Sequence, residues 1–220
     1  DVCDDGDFGA NLRCIEFSWD GGDCDPIVDT GTTDTGEDSP PTDTGTGDPT
    51  EDTGGPDVDL EGPVGENLVE NPGLETGDMS GWTTLSSGGD GCNVSAGGHS
   101  GDYVLKTSWG LCEREQTIDL LASGFTAEAL DSAPEIQVSE WFREIYAGGD
   151  AYSFQVQLLN EDGAVLDSFD GSGTTTGLTS YDDDEWFEVS HSFTSYPSGL
   201  RSITIKDGGR DSEGWAGHYG

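Results

Sequence analysis

Tyr152-Ser153-Phe154-Gln155-Val156-Gln157-Leu158 decides how this chain is read, because large apolar side chains alternate there with small or polar ones. Successive side chains of a strand point to opposite faces, so Tyr152, Phe154, Val156 and Leu158 share one face and Ser153, Gln155 and Gln157 the other. That is a half-buried strand. Asn160-Glu161-Asp162-Gly163 supplies a polar turn ending in glycine, and Ala164 to Asp170 reads as the returning strand of a hairpin.

The same period of two recurs on either side of this hairpin. Phe187, Val189, His191 and Phe193 share a face, as do Ile203 and Ile205, whose neighbours Ser202, Thr204 and Lys206 face outward. Tyr103 to Ser108 and Glu113 to Asp119 read as a further strand pair, and Leu120 to Leu130 is the stretch suited to a helical turn. Many short strands joined by glycine-rich turns, with almost no helix, specify an all-β, antiparallel sandwich or jelly roll.

Composition divides the chain in three. Residues 1–24 hold three cysteines in a short Gly- and Asp-rich stretch without an apolar stripe, so covalent or metal staples would have to hold it. Residues 25–63 are almost wholly Asp, Thr, Gly, Pro and Ser, with near-repeats such as Asp29-Thr30-Gly31 and Asp52-Thr53-Gly54. Such a tract buries too little apolar area to offset the entropy of ordering, so a disordered acidic spacer is expected. Its Asp-Thr-Gly triplets do not make an aspartic protease, which needs two such loops held by a large β-fold. Residues 64–220 carry the sandwich.

Charge excludes several functions. Seven Lys and Arg against 46 Asp and Glu give a net charge of −39, which repels phosphate backbones and anionic lipid. Nucleic acid is not an expected partner, and no run approaches the length of a membrane span, so no membrane insertion is expected. No nucleophile elbow, His-Glu-x-x-His pair or phosphate-cradling Gly-Lys-Ser run occurs, so no enzymatic activity is expected. Acidic runs such as Asp182-Asp183-Asp184-Glu185 read as solvated loops. Trp82, Trp141 and Trp186 read as core plugs, and His191 as a core side chain between Val189 and Phe193.

Asn67-Leu68-Val69-Glu70-Asn71-Pro72-Gly73-Leu74-Glu75 followed by Gly81-Trp82 resembles the start of galactose-binding-like jelly rolls. Gln116-Thr117-Ile118-Asp119-Leu120, Trp141-Phe142, Val189-Ser190-His191-Ser192-Phe193 and Asp207-Gly208-Gly209-Arg210-Asp211-Ser212 narrow the resemblance to the F-box-associated domain. That resemblance implies the sugar-recognition half of F-box proteins that select glycoproteins bearing high-mannose N-glycans. It implies a glycan or glycoprotein partner. No F-box precedes the domain in these residues, so a ubiquitin-ligase partner is not implied. It also implies a closing strand beyond Gly220, so the sandwich is expected to lack its last strand.

By the same resemblance, glycan stacks on an aromatic just before a Cys and on a Tyr-Trp-Lys run near the C-terminus. Here those positions are Trp109 and the run Gly214, Trp215 and Ala216, so both indoles are kept while the flanking Tyr and Lys are replaced. An indole offers a flat apolar face to sugar C–H groups, and polar neighbours fix orientation. The alternative is a structural or adhesion sandwich that binds protein or has lost its glycan.

Cys3-Asp4-Asp5-Gly6, Cys14 and Trp19-Asp20-Gly21-Gly22-Asp23-Cys24 resemble the second half of a Lin-12/Notch-type repeat. The resemblance implies calcium held by Asp4, Asp20 and Asp23, and pairing of Cys3 with Cys24. No cofactor is expected in the sandwich. Cys92 and Cys112 are candidates for another bridge in an oxidising compartment. These features together lead to the expectation of an extracellular or cell-surface protein, of bacterial origin.

Overall fold

The computed structural model describes residues 62–144, 149–175 and 186–212, together with the backbone of 14–17 and 218–219. The strands are β1 (Cys14–Phe17), β2 (Thr83–Ser87), β3 (Asn93–Ala96), β4 (Tyr103–Lys106), β5 (Cys112–Asp119), β6 (Glu135–Arg143) and β7 (Ala151–Leu159). They continue with β8 (Val165–Asp170), β9 (Gly173–Thr174), β10 (Trp186–Phe193), β11 (Ser202–Arg210) and β12 (His218–Tyr219). A single short helix among the described residues, α1 (Ala127–Asp131), is capped by the Thr126 hydroxyl, which accepts the Ala129 N–H.

Two sheets face each other in an antiparallel jelly roll. The first runs β1-β6-β12-β4-β3, with β10 on the other edge of β6; the second runs β2-β5-β11-β7-β8, with β9 extending β7. Ladders are antiparallel except where β1 joins β6 in parallel, Cys14 opposite Glu135. The hairpin read from the alternation is present, with β7 paired to β8 across Asn160, whose side chain accepts the N–H groups of Asp162 and Ala164. His218 and Tyr219 lie between β4 and β6, opposite Lys106 and Leu105 on one side and Arg143 and Phe142 on the other.

One expected pairing is wrong. β4 and β5 are strands, but β4 pairs with β3 and β12 while β5 pairs with β2 and β11. Residues 107–111 do not turn the chain back on itself; they carry it from the first sheet to the second.

Ile136, Val138 and Phe142 from the first sheet interlock with Ile118, Phe154, Val156, Leu158, Ile203 and Ile205 from the second. Each fully buried side chain of this size contributes about 1.5–3 kcal/mol relative to leaving it in water. The Asn67-to-Trp82 motif closes one flank of this core. Asn71 donates from Nδ2 to the carbonyls of Asp78 and Ser80 and accepts the Trp82 indole N–H on its own carbonyl, which fixes Trp82 and Leu74 inside. Gln116 pins the loop to β5 by accepting the Glu70 N–H and donating to the carbonyls of Glu70 and Gly81.

Of the three tryptophans read as core plugs, Trp82 is buried, but Trp141 and Trp186 are half-buried on the outer face of the first sheet. In β6 the core-facing positions are Ile136, Val138, Glu140 and Phe142, and Trp141 falls between them. The His99 ring lies flat over Trp141 at 4.1 Å and meets Trp186 edge-on at 5.4 Å. The Arg143 guanidinium covers Trp186 and donates to the Gly97 carbonyl. His191 is half-buried as a core-facing ring, stacked on Phe169 at 4.4 Å and packed against Phe193.

Candidate functional site

The crossing at 107–111 presents Trp109 at one end of the sandwich, 56% exposed, with Leu111 exposed beside it. Thr107 and Ser108 are buried beneath. Ser108 Oγ accepts the Asp90 N–H at 2.9 Å, and its carbonyl accepts the Asp211 N–H at 2.9 Å. The Leu111 carbonyl accepts the Gly88 N–H and the Ser86 hydroxyl. A Cβ on Gly110 would stand 2.3 Å from the Gly89 nitrogen, so only glycine allows the 86–91 turn and the crossing to lie this close. The indole thus rests on a fixed support.

Two buried acids lie in the same hydrogen-bonded assembly. Asp150 and Asp211 are 3% and 8% exposed. Asp150 Oδ1 accepts the Ser212 N–H at 2.8 Å, and its carbonyl accepts the N–H of buried Thr175 at 2.8 Å. Burial is the main force raising the Asp150 carboxyl to about 6, helped by the neighbouring carboxylates of Asp211 and Glu144 and opposed by the Ser212 N–H. An exposed apolar ring can stack on a ligand, and a carboxylate can accept a ligand's O–H or N–H donors.

Of the residues expected from sequence, Trp109 is placed here, and Cys92 and Cys112 form a disulfide with Cα atoms 5.3 Å apart. Gly214, Trp215 and Ala216 lie outside the described residues, as do Asp4, Asp20, Asp23, Cys3 and Cys24. The sequence reading missed Asp150, Ser108 and Thr175 as members of this end. Asp211 stood inside a recognised motif, yet nothing local announced that it would be buried beside Asp150.

Elsewhere, an open groove of about 520 Å³ runs past Glu70, Glu115, Gln116 and Asp119, and no aromatic side chain lines it. Among the described residues, no three His, Cys, Asp or Glu side chains are placed to hold a metal ion, and no helix is long and apolar enough to cross a membrane.

Two facing antiparallel sheets, with an exposed indole carried where the chain passes between them, define a jelly-roll module. The family model described as the F-box associated region matches residues 60–220, and the chain belongs to that family. F-box only protein 6 of Bos taurus is 38% identical over 164 residues, covering 70% of this chain and 61% of that protein. F-box only protein 6 of Homo sapiens is 37% identical over 164 residues, with 70% and 55% covered. F-box only protein 2 of Bos taurus is 35% identical over 165 residues, with 70% and 55% covered. The chain therefore spans little more than half the length of the curated relatives it matches. Among solved structures, TmCBM61 in complex with β-1,4-galactotriose overlaps with a TM-score of 0.44 at 20% identity, covering 70% of this chain and 94% of that one.

These relatives correct the localisation expected from sequence. The relatives it matches are F-box only proteins of Bos taurus and Homo sapiens, so the extracellular or bacterial-surface setting read from cysteine spacing and the acidic spacer does not stand. Cysteine spacing and acidity speak to redox chemistry and solubility, and neither is an address.

Proposed function

We propose that the sandwich is a non-catalytic carbohydrate-recognition module that binds the glycan of a glycoprotein by stacking a sugar on Trp109. The observation that carries this reading is the exposed Trp109 indole on its glycine-packed support, within the same assembly as the buried acids Asp150 and Asp211. Membership of the F-box associated region family supports it. In this reading Trp215, with Gly214 and Ala216 beside it, supplies the second stacking surface. The acids accept sugar hydroxyl or N-acetyl N–H donors, and no group is asked to break a bond.

A glycan array followed by calorimetry on a high-mannose N-glycan tests the proposal. Trp109→Ala is expected to weaken binding by roughly tenfold or more while the far-ultraviolet circular dichroism stays that of the parent, since an exposed ring contributes little to folding. Binding that is unchanged in Trp109→Ala would overturn the site, and release of a cleaved sugar product would overturn the non-catalytic reading.

A further inference from the structure

The two segments that frame Trp109 are joined by the Cys92–Cys112 disulfide. Cys112 opens β5 directly after the crossing at 107–111, and Cys92 directly follows the 86–91 turn on which that crossing rests. The other ties between the segments are the close packing of Gly110 on Gly88 and Gly89 and three hydrogen bonds: Gly88 N–H to the Leu111 carbonyl, the partly buried Asp90 N–H to Ser108 Oγ, and the exposed one from the Ser86 hydroxyl to the Leu111 carbonyl. Water competes for such a bond and leaves it little net strength, but it does not compete for a covalent one. The bridge spans a sequence separation of 20 residues, within which lie β3, β4 and Trp109 itself.

The structure assigns to Cys92–Cys112 the role of a redox control on the Trp109 site, an assignment that rests on the glycan-binding reading above. Cys112 is fully buried and Cys92 is partly exposed, so an incoming thiolate reaches the Cys92 sulfur. It forms a mixed disulfide there while the Cys112 sulfur leaves and takes up a proton. The second thiol of a dithiol then displaces Cys92 and closes its own disulfide. Two electrons and two protons pass to the protein, which gains two thiols, and the dithiol is oxidised to a cyclic disulfide.

Both states have a place in the fold. The Cys92 sulfur lies 3.2 Å from the Ser86 carbonyl, an acceptor for the S–H that reduction creates. Cys112 is packed among apolar neighbours of the core, where a small neutral thiol fits. Reduction therefore leaves the sandwich folded and frees the 86–91 turn to move against the crossing, so the support under Trp109 loses its preorganisation.

The test is calorimetric titration of the chain with a high-mannose N-glycan, with and without dithiothreitol, together with hydrogen exchange of the 86–91 and 107–111 amides. The expected result is roughly tenfold weaker binding and faster exchange at both segments on reduction, the loss being one of preorganisation. The Cys92→Ser/Cys112→Ser double variant is expected to behave as the reduced parent under both conditions, which separates this bridge from the remaining cysteines. Equal glycan affinity in the two redox states, or a response that persists in the double variant, overturns the inference and leaves the binding site standing. Absence of glycan binding in both states overturns the binding reading instead, and exchange rates that reduction does not change then overturn the redox control as well.

Discussion

Arg114 and Asp207 meet in two parallel hydrogen bonds, Nε to Oδ1 at 2.6 Å and Nη2 to Oδ2 at 2.8 Å, with both side chains wholly buried between the sheets. They are register partners on β5 and β11, and the Trp82 ring covers the guanidinium at 3.9 Å. The cation is thus matched by a carboxylate fork at its edge and a π face above it. Arg114→Met leaves Asp207 charged and unpaired in the core, and should cost about 3–5 kcal/mol. Replacing both residues by apolar ones of similar volume should cost much less. Urea unfolding of the two variants measures the difference, and equal losses would contradict the ion-pair account.

Glu140 faces this pair from the opposite sheet, fully buried, with Oε2 lacking a hydrogen-bond partner. Burial holds its carboxyl well above the ordinary 4.5, the Asp207 carboxylate adds to the effect, and Arg114 opposes it. The folded chain therefore keeps a proton that the unfolded chain releases. Stability linked to Glu140 is fully present below the ordinary value and falls as pH rises toward the folded one. Glu140→Gln, which cannot ionise, should match the parent in acid and be more stable than it at neutral pH. Thermal melts across that range would show the two curves separating, and parallel curves would refute the assignment.

Asp150 makes a different prediction, because the proposed site uses its charged form. With its carboxyl raised to about 6, acidification through that value neutralises the acceptor proposed for sugar hydroxyl or amide donors. Glycan affinity should fall as pH drops from neutral through 6, and Asp150→Asn should flatten the profile at the weaker level. Calorimetry at a series of pH values reads both, and an acid-independent affinity in the parent excludes Asp150 from the site.

Gly110 is the steric test of the support. Alanine there drives its Cβ against the backbone of Gly88 and Gly89, atoms that cannot yield as a flexible side chain would. Overpacking of this kind costs about 1–3 kcal/mol. Gly110→Ala should therefore lower the melting temperature and reduce glycan affinity together. Gly163→Ala, at the exposed β7–β8 turn where a Cβ meets nothing within 4 Å, should leave affinity unchanged despite its positive φ of 75°. Equal affinities in Gly110→Ala and the parent would show that the close packing is irrelevant to recognition.

Much of the second sheet was legible because its strands alternate cleanly. Tyr152 to Leu158 and Ile203 to Ile205 each state which side faces the core, and Asn160 to Gly163 states where the chain turns. The crossing was not legible, because two strands separated by a short loop look the same whether they pair or part, and partner choice is a non-local matter. Trp141 was misplaced for the opposite reason. Its bulk favours the core, whereas its phase relative to Ile136, Val138 and Phe142 sets it on the outer face, where His99, distant in sequence, covers it. Trp109 was found through resemblance to a family and not through any pattern of its own. Asp150 carried no signal, since Ser212 and Thr175, which help enclose it, come from far along the chain.

The 107–111 segment has a mechanical consequence. The residues that display Trp109 are also one of the covalent links between the two layers, so force applied to a ligand stacked on Trp109 would enter the fold at a point where one sheet hands the chain to the other. That link ends at Cys112 in the second sheet, and the bridge there returns the load to Cys92, just ahead of β3 in the first. A tethered glycoprotein pulling on Trp109 would therefore load both layers at once.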